Sequence, residues 1–240
     1  MKYRFEIEKK DYTDFASGRV LYNAPNTTAF PVRLASEIIQ RAFEIMEEQG
    51  APGPYRIYDP CCGGGFLLTT IGFLFNVRVS ELIASDVDKA VLEIAKQNLS
   101  LLTMEGLAAR RQQLEEYISA YNKDSHREAL ASAERLANLI DNQPINVRCL
   151  QRDITDLTNY SISDVDIIIT DIPYGNLVSW AGAGADSLDH LFQNCYKALN
   201  KKHSVLVIIA DKQPKLRHEL FQRVQYFKLG KRQIAFFKPL

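Results

Sequence analysis

The sequence is short of cysteine, of net charge and of uninterrupted apolar runs, and each shortage removes a class of protein. Only four cysteines occur in 240 residues, Cys61, Cys62, Cys149 and Cys195. No Cys-x-x-Cys or His-x-x-x-His spacing exists, so neither a disulfide framework nor a zinc site is expected, and no metal is assigned. No apolar run reaches the roughly eighteen residues that a membrane span requires. The opening Met1-Lys-Tyr-Arg-Phe-Glu6 is charged and lacks the apolar centre of a signal peptide, so a cytoplasmic protein is expected. His126, His190, His203 and His218 form no pair, and none is given a general-base role. Internal repeats and low-complexity tracts are also missing.

Formal net charge is zero, which argues against strong nonspecific binding to a polyanion. The distribution says more. Residues 197–240 hold 11 Lys and Arg against 2 Asp and Glu, whereas residues 81–196 hold 9 against 18. Such asymmetry fits one basic face for a polyanion, and equally an ordinary solvated surface.

With 46% hydrophobic residues the chain can bury a full core as one domain spanning 1–240. From Pro31, the residues Val32, Leu34, Ala35, Ile38, Ile39, Ala42, Phe43 and Met46 recur at helical spacing, within an N-terminal extension of 1–50. Ser17–Tyr22 reads as a short strand. From Tyr55 on, apolar runs alternate with helical patterns: a strand to Asp59, a helix from Phe66, a strand to Asp86, and a helix capped by Asp88. Residues of about 103–145 interrupt that rhythm with one or two polar helices, an insertion. Strands then end at Asp153 and Asp171, a helix covers about 186–199, and a further strand and a closing hairpin finish the chain. The pattern predicts a Rossmann-like α/β fold, a seven-stranded, mostly parallel sheet with helices on both faces.

Asp59-Pro-Cys-Cys-Gly-Gly-Gly-Phe66 is the most informative stretch. Glycines at a strand-to-helix turn allow positive φ and let a ligand approach the main chain, although many such turns are only turns. Four acids at successive strand ends, Asp59, Asp86, Asp153 and Asp171, are harder to explain as capping. Ligands in open α/β sheets sit outside those ends, and Asp86 follows Gly65 by 21 residues, a spacing that suits ribose hydroxyls. An NAD site would want a third glycine where Leu68 stands, and the acid before the turn would repel a pyrophosphate. The same acid attracts the ammonium and sulfonium of S-adenosylmethionine (SAM), the preferred ligand; an NAD-linked oxidoreductase is the distant rival.

The first stretch resembles motif I of class I SAM-dependent methyltransferases, and Asp171-Ile-Pro-Tyr174 resembles the Asp/Asn-Pro-Pro-Tyr motif of amino methyltransferases, with Ile172 replacing a proline. Ala16–Leu21, Ala29–Ala35, Ile83–Asp88 and Asp171–Gly175 together are similar to the avilamycin-resistance rRNA methyltransferases, the AviRa family. The resemblance implies methylation of an exocyclic amine in large-subunit ribosomal RNA, guanine N2 foremost, by a monomer that can confer orthosomycin resistance. Asp59, Cys61 and Gly63, Gly64 and Gly65 would hold the methionine end of SAM. Asp86 would take the ribose, and Asp153, with Ile154 beside the ring, the adenine. Asp171 and the Ile172 carbonyl would accept the target N–H bonds, with Pro173 shaping the loop and Tyr174 stacking on the base. Arg33, Trp180, Lys228, Lys231 and Arg232 are weaker RNA-contact candidates. Adenine N6, a protein glutamine amide, and a non-catalytic SAM-fold RNA-binding protein remain as alternatives.

Overall fold

The computed structural model describes residues 3–25, 29–140, 144–158, 161–172, 187–211 and 215–240. Helix α1 (Val32–Glu48) precedes strand β1 (Tyr55–Asp59), helix α2 (Phe66–Leu74) and strand β2 (Val79–Asp86). Helices α3 (Lys89–Ser100), α4 (Met104–Tyr121) and α5 (Asp124–Ala137) lead to β3 (Asn146–Gln151) and β4 (Ile167–Asp171). Helix α6 (Ser187–Ala198) is followed by β5 (Val205–Asp211), β6 (Phe221–Leu229) and β7 (Arg232–Pro239).

The strands form one sheet in the order β3-β2-β1-β4-β5-β7-β6, as the seven-stranded expectation required. Neighbours from β3 through β5 are parallel, and β7 alone runs against the rest. Central strands buried on both faces read as continuous apolar runs, which is why β4 and β5 stood out. The outer strands β3 and β6 keep polar, exposed residues, which blunts their open edges.

Successive side chains alternate between two cores. Ile57, Leu82, Ile167, Ile169, Val207, Ile209 and Phe236 pack with α1 to α5, and Tyr58, Ile83, Ile168, Leu206, Ile208 and Phe237 pack with α6. Among the described residues, α6 is the one helix on the second face.

The strand expected over Ser17–Tyr22 is not formed. Val20 and Leu21 are fully buried, yet a local turn, in which the Leu21 carbonyl accepts the Gly18 N–H at 2.9 Å, and side chains satisfy the backbone there in place of a neighbouring strand. Arg110 of α4 donates to the Val20 carbonyl at 2.9 Å and the Arg19 carbonyl at 3.1 Å, with its guanidinium 4.3 Å from the Tyr22 ring centroid.

A second polar clasp holds residues 4–6 against α1. The buried Glu37 carboxylate accepts the backbone N–H groups of Arg4, Phe5 and Glu6 at 2.8, 2.8 and 2.9 Å and pairs with Arg41 at 2.6 Å. Burial pushes the Glu37 carboxyl up, but those N–H groups and Arg41 outweigh it and hold it below the usual carboxylate range. Its contribution is therefore present at neutral pH and is lost as pH falls through that depressed value. Replacing Glu37 with alanine orphans three N–H groups and a nearly buried guanidinium, and is expected to cost about 3–5 kcal/mol. Urea unfolding at pH 7 measures this; an unchanged midpoint would show the clasp to be dispensable.

Candidate active site

The site lies at the carboxyl ends of β1, β2 and β4, where the chain steps to opposite sides of β1. After β1, the backbone turns with Gly63 at φ +52° and Gly65 at φ +73°, conformations that side chains disfavour. The glycines differ in what else they serve. A Cβ on Gly64 would lie 2.8 Å from the Ala24 Cβ, and one on Gly65 3.1 Å from the Ala95 Cα and Cβ, so both are close-packing positions. A Cβ on Gly63 would meet nothing within 4 Å, leaving open space over the turn for a ligand.

Asp59 closes β1 at 2% exposure. Its Oδ1 accepts the Cys61 N–H at 3.1 Å. Burial above all, joined by repulsion from Asp86 and Asp171, pushes its carboxyl up to about 7. Asp86 ends β2, where its two oxygens accept the N–H groups of Gly63 at 2.9 Å and Asp88 at 3.0 Å. Each oxygen retains acceptor capacity for a hydroxyl. Burial first, then the same acids, drives the Cys61 and Cys62 thiols well up, so both stay neutral and are poor nucleophiles. Carboxylates this close together suit the positive ammonium and sulfonium of SAM and would repel a pyrophosphate. The residues present therefore fit that donor.

Asp171 ends β4. Burial pushes its carboxyl up to about 6, with the Arg232 guanidinium drawing it partly back. Its Oδ1 is buried and has no hydrogen-bond partner among the described residues. Oδ2 lies 3.9 Å from Arg232 Nε. Ile172 follows, buried, with its N–H donated to the Ile209 carbonyl at 2.9 Å.

Asp153 stands two residues beyond β3 and accepts the Thr155 N–H and hydroxyl at 2.8 and 2.7 Å; Ile154 is buried in the α6-side core. The Arg33 guanidinium donates to the Glu6 and Ile7 carbonyls and stacks over Tyr3, so its donors are engaged within the chain. Lys228 and Lys231 are exposed on the β6–β7 hairpin. Arg232, expected as a phosphate contact, reaches the end of β4. Pro173, Tyr174 and Trp180 lie outside the described residues.

Sequence reasoning passed over Asn98. This buried α3 side chain accepts the Tyr22 N–H at 2.7 Å and donates to the Tyr22 carbonyl at 3.0 Å and the Gly64 carbonyl at 2.8 Å. It thereby fastens the N-terminal segment over the glycine turn. An amide falling in register with Leu92, Ala95 and Leu99 on the apolar face was the available signal.

The family model for the rRNA methyltransferase AviRa matches residues 1–232. The chain is 36% identical over 237 residues, 96% of its length and 93% of the relative's, to a 23S rRNA (guanine(2535)-N(1))-methyltransferase of Streptomyces viridochromogenes. The solved structure of rRNA methyltransferase AviRa from that organism is 34% identical, with a TM-score of 0.87 over 98% of this chain and 96% of that one. TrmN from Thermus thermophilus, 15% identical with a TM-score of 0.52 over 90% of this chain and 51% of that one, shares the fold.

Proposed function

The chain belongs to the AviRa family of rRNA methyltransferases, and from that premise we propose that it methylates N1 of a guanine in large-subunit ribosomal RNA. SAM is the donor, supplying when bound a methyl carbon activated by its sulfonium for in-line displacement. The observation that carries the position is the Oδ1 of Asp171, buried and without a hydrogen-bond partner among the described residues.

Guanine N1 bears a proton, and its lone pair is delocalised into the ring until that proton leaves. A carboxyl held at about 6 is ionised at neutral pH yet more basic than an ordinary aspartate, so it suits a general base at this position. The relative's name specifies N1, which supports the same reading. In this reading Asp59, Cys61 and the Gly63–Gly65 backbone hold the methionine end of the donor. Asp86 takes the ribose, while Asp153 and Ile154 serve the adenine. Lys228 and Lys231 meet phosphates, giving a salt-dependent affinity. The whole of 1–240 then works as one domain, with 1–50 and about 103–145 as additions to the methyltransferase core.

Guanine N2 is the second reading, favoured by Asp171-Ile-Pro-Tyr174 and its likeness to an amine-binding motif. The two separate cleanly. Large-subunit RNA methylated in vitro is digested to nucleosides, and 1-methylguanosine is expected. That product also blocks reverse transcription, whereas N2-methylguanosine does not. N2-methylguanosine would move the assignment to the second reading, and N6-methyladenosine or label entering protein would overturn both.

A further inference from the structure

Asp171 and Arg232 form an ion pair that does not close. A carboxylate and a guanidinium free to meet settle at about 2.7–2.9 Å. Arg56–Glu81 at 2.7 Å and Arg41–Glu37 at 2.6 Å do so in this chain. Arg232 Nε instead stays 3.9 Å from Asp171 Oδ2, although both side chains are three-quarters buried. Two features hold the guanidinium off. Its strand register sets Arg232 opposite Asp211 on β5, and its plane lies over the Phe30 ring at 5.3 Å. The result is a buried acceptor, Asp171 Oδ1, and a buried donor, Arg232 Nε, neither hydrogen-bonded among the described residues.

An unspent acceptor beside an unspent donor matches two adjacent atoms of guanine, the N1–H and O6. We propose that Arg232 is a catalytic residue that donates to guanine O6 and stabilises the negative charge arising there as N1 gives its proton to Asp171. This rests on the N1 reading above. The N1–H bond breaks and its proton passes to the Asp171 carboxylate. The electron pair left behind is shared between N1 and O6, where a fixed cation lowers its energy without reorganisation. That pair forms the N1–carbon bond as the carbon–sulfur bond of the donor breaks, its electrons going to sulfur.

The test compares wild type with Arg232→Met, which keeps length and packing on Phe30, and Arg232→Lys, which keeps charge but not the planar fork. Saturating rRNA and SAM give kcat, and filter binding gives the RNA Kd. For Arg232→Met we expect kcat to fall about 10²–10³-fold, as when one oxyanion donor is removed. RNA and SAM affinities should change less than about threefold, and Arg232→Lys should recover part of the rate. The acid limb of the kcat–pH profile should move to higher pH in Arg232→Met, because Arg232 draws the Asp171 carboxyl down. An unaltered kcat, or a loss confined to RNA affinity, overturns the proposal while leaving N1 methylation standing. A wild-type product other than 1-methylguanosine removes the reading on which it rests, and the proposal with it.

Discussion

Asp171→Asn is expected to lower methyl transfer about 10²–10⁴-fold with SAM binding retained, the loss that accompanies removal of a general base. Asparagine keeps the shape of the side chain and one acceptor oxygen, but it cannot take a proton at neutral pH. This makes the substitution discriminating. A base is indispensable at guanine N1, whereas an acceptor suffices to orient an exocyclic amine, for which the motif resembled by Asp171–Tyr174 admits asparagine. In wild type, activity should rise with pH through about 6 and then level, because only the ionised Asp171 can accept the proton. The asparagine variant should lack that limb. Single-turnover rates across pH 5 to 8 measure both features; an active Asp171→Asn enzyme would sink the base assignment and favour the amine reading.

Asp59→Asn should show gain and loss together. A carboxyl raised to about 7 binds its proton more tightly folded than unfolded. Stability therefore falls as pH rises from about 4 to about 7 and is flat above, because ionisation of the buried group opposes folding. A shift of about three units corresponds to roughly 4 kcal/mol as an upper bound. The ligand-free asparagine variant should thus melt higher than wild type at pH 8, with the advantage shrinking as pH falls and vanishing near pH 4. SAM affinity should fall about ten- to a hundredfold, the worth of a hydrogen bond to a charged group. Calorimetry with and without SAM reads both quantities. A variant that melts lower at pH 8, or binds SAM as well as wild type, would remove Asp59 from the proposed role. Stability surrendered for binding at one residue is the usual mark of a functional site.

The strand ends and the glycine turn were legible because their signals are local. A buried parallel strand is a continuous apolar run, and a turn at positive φ calls for glycine within a few residues of it. What escaped notice depends on distant partners. Glu37 lies on α1 beside Arg41, a pairing that reads as an ordinary surface ion pair, and its backbone partners lie about thirty residues earlier in a stretch with no periodicity. Ser17–Tyr22 carries the residues of a strand, but the donors to its Arg19 and Val20 carbonyls come from Arg110, in a region that sequence alone marked only as inserted. The place of Arg232 has a topological cause that the sequence hides. Periodicity reveals a hairpin but not which arm faces the sheet. Because β7, not β6, pairs with β5, the first residue of β7 is carried inward to the end of β4.

The side-chain pinning of residues 3–25 bears on how the chain acquires its shape during synthesis. The partners of this segment emerge 31 residues later for Glu37, 76 for Asn98 and 90 for Arg110. It must therefore wait, uncommitted, while β1, the glycine turn and α3 are made. Such contacts bring their loop-closure cost before any return, which slows the step that forms them. The cover over the glycine turn is thus completed only after α4 has been translated, and the newly made protein has a turn open to solvent before it has a finished cofactor cradle.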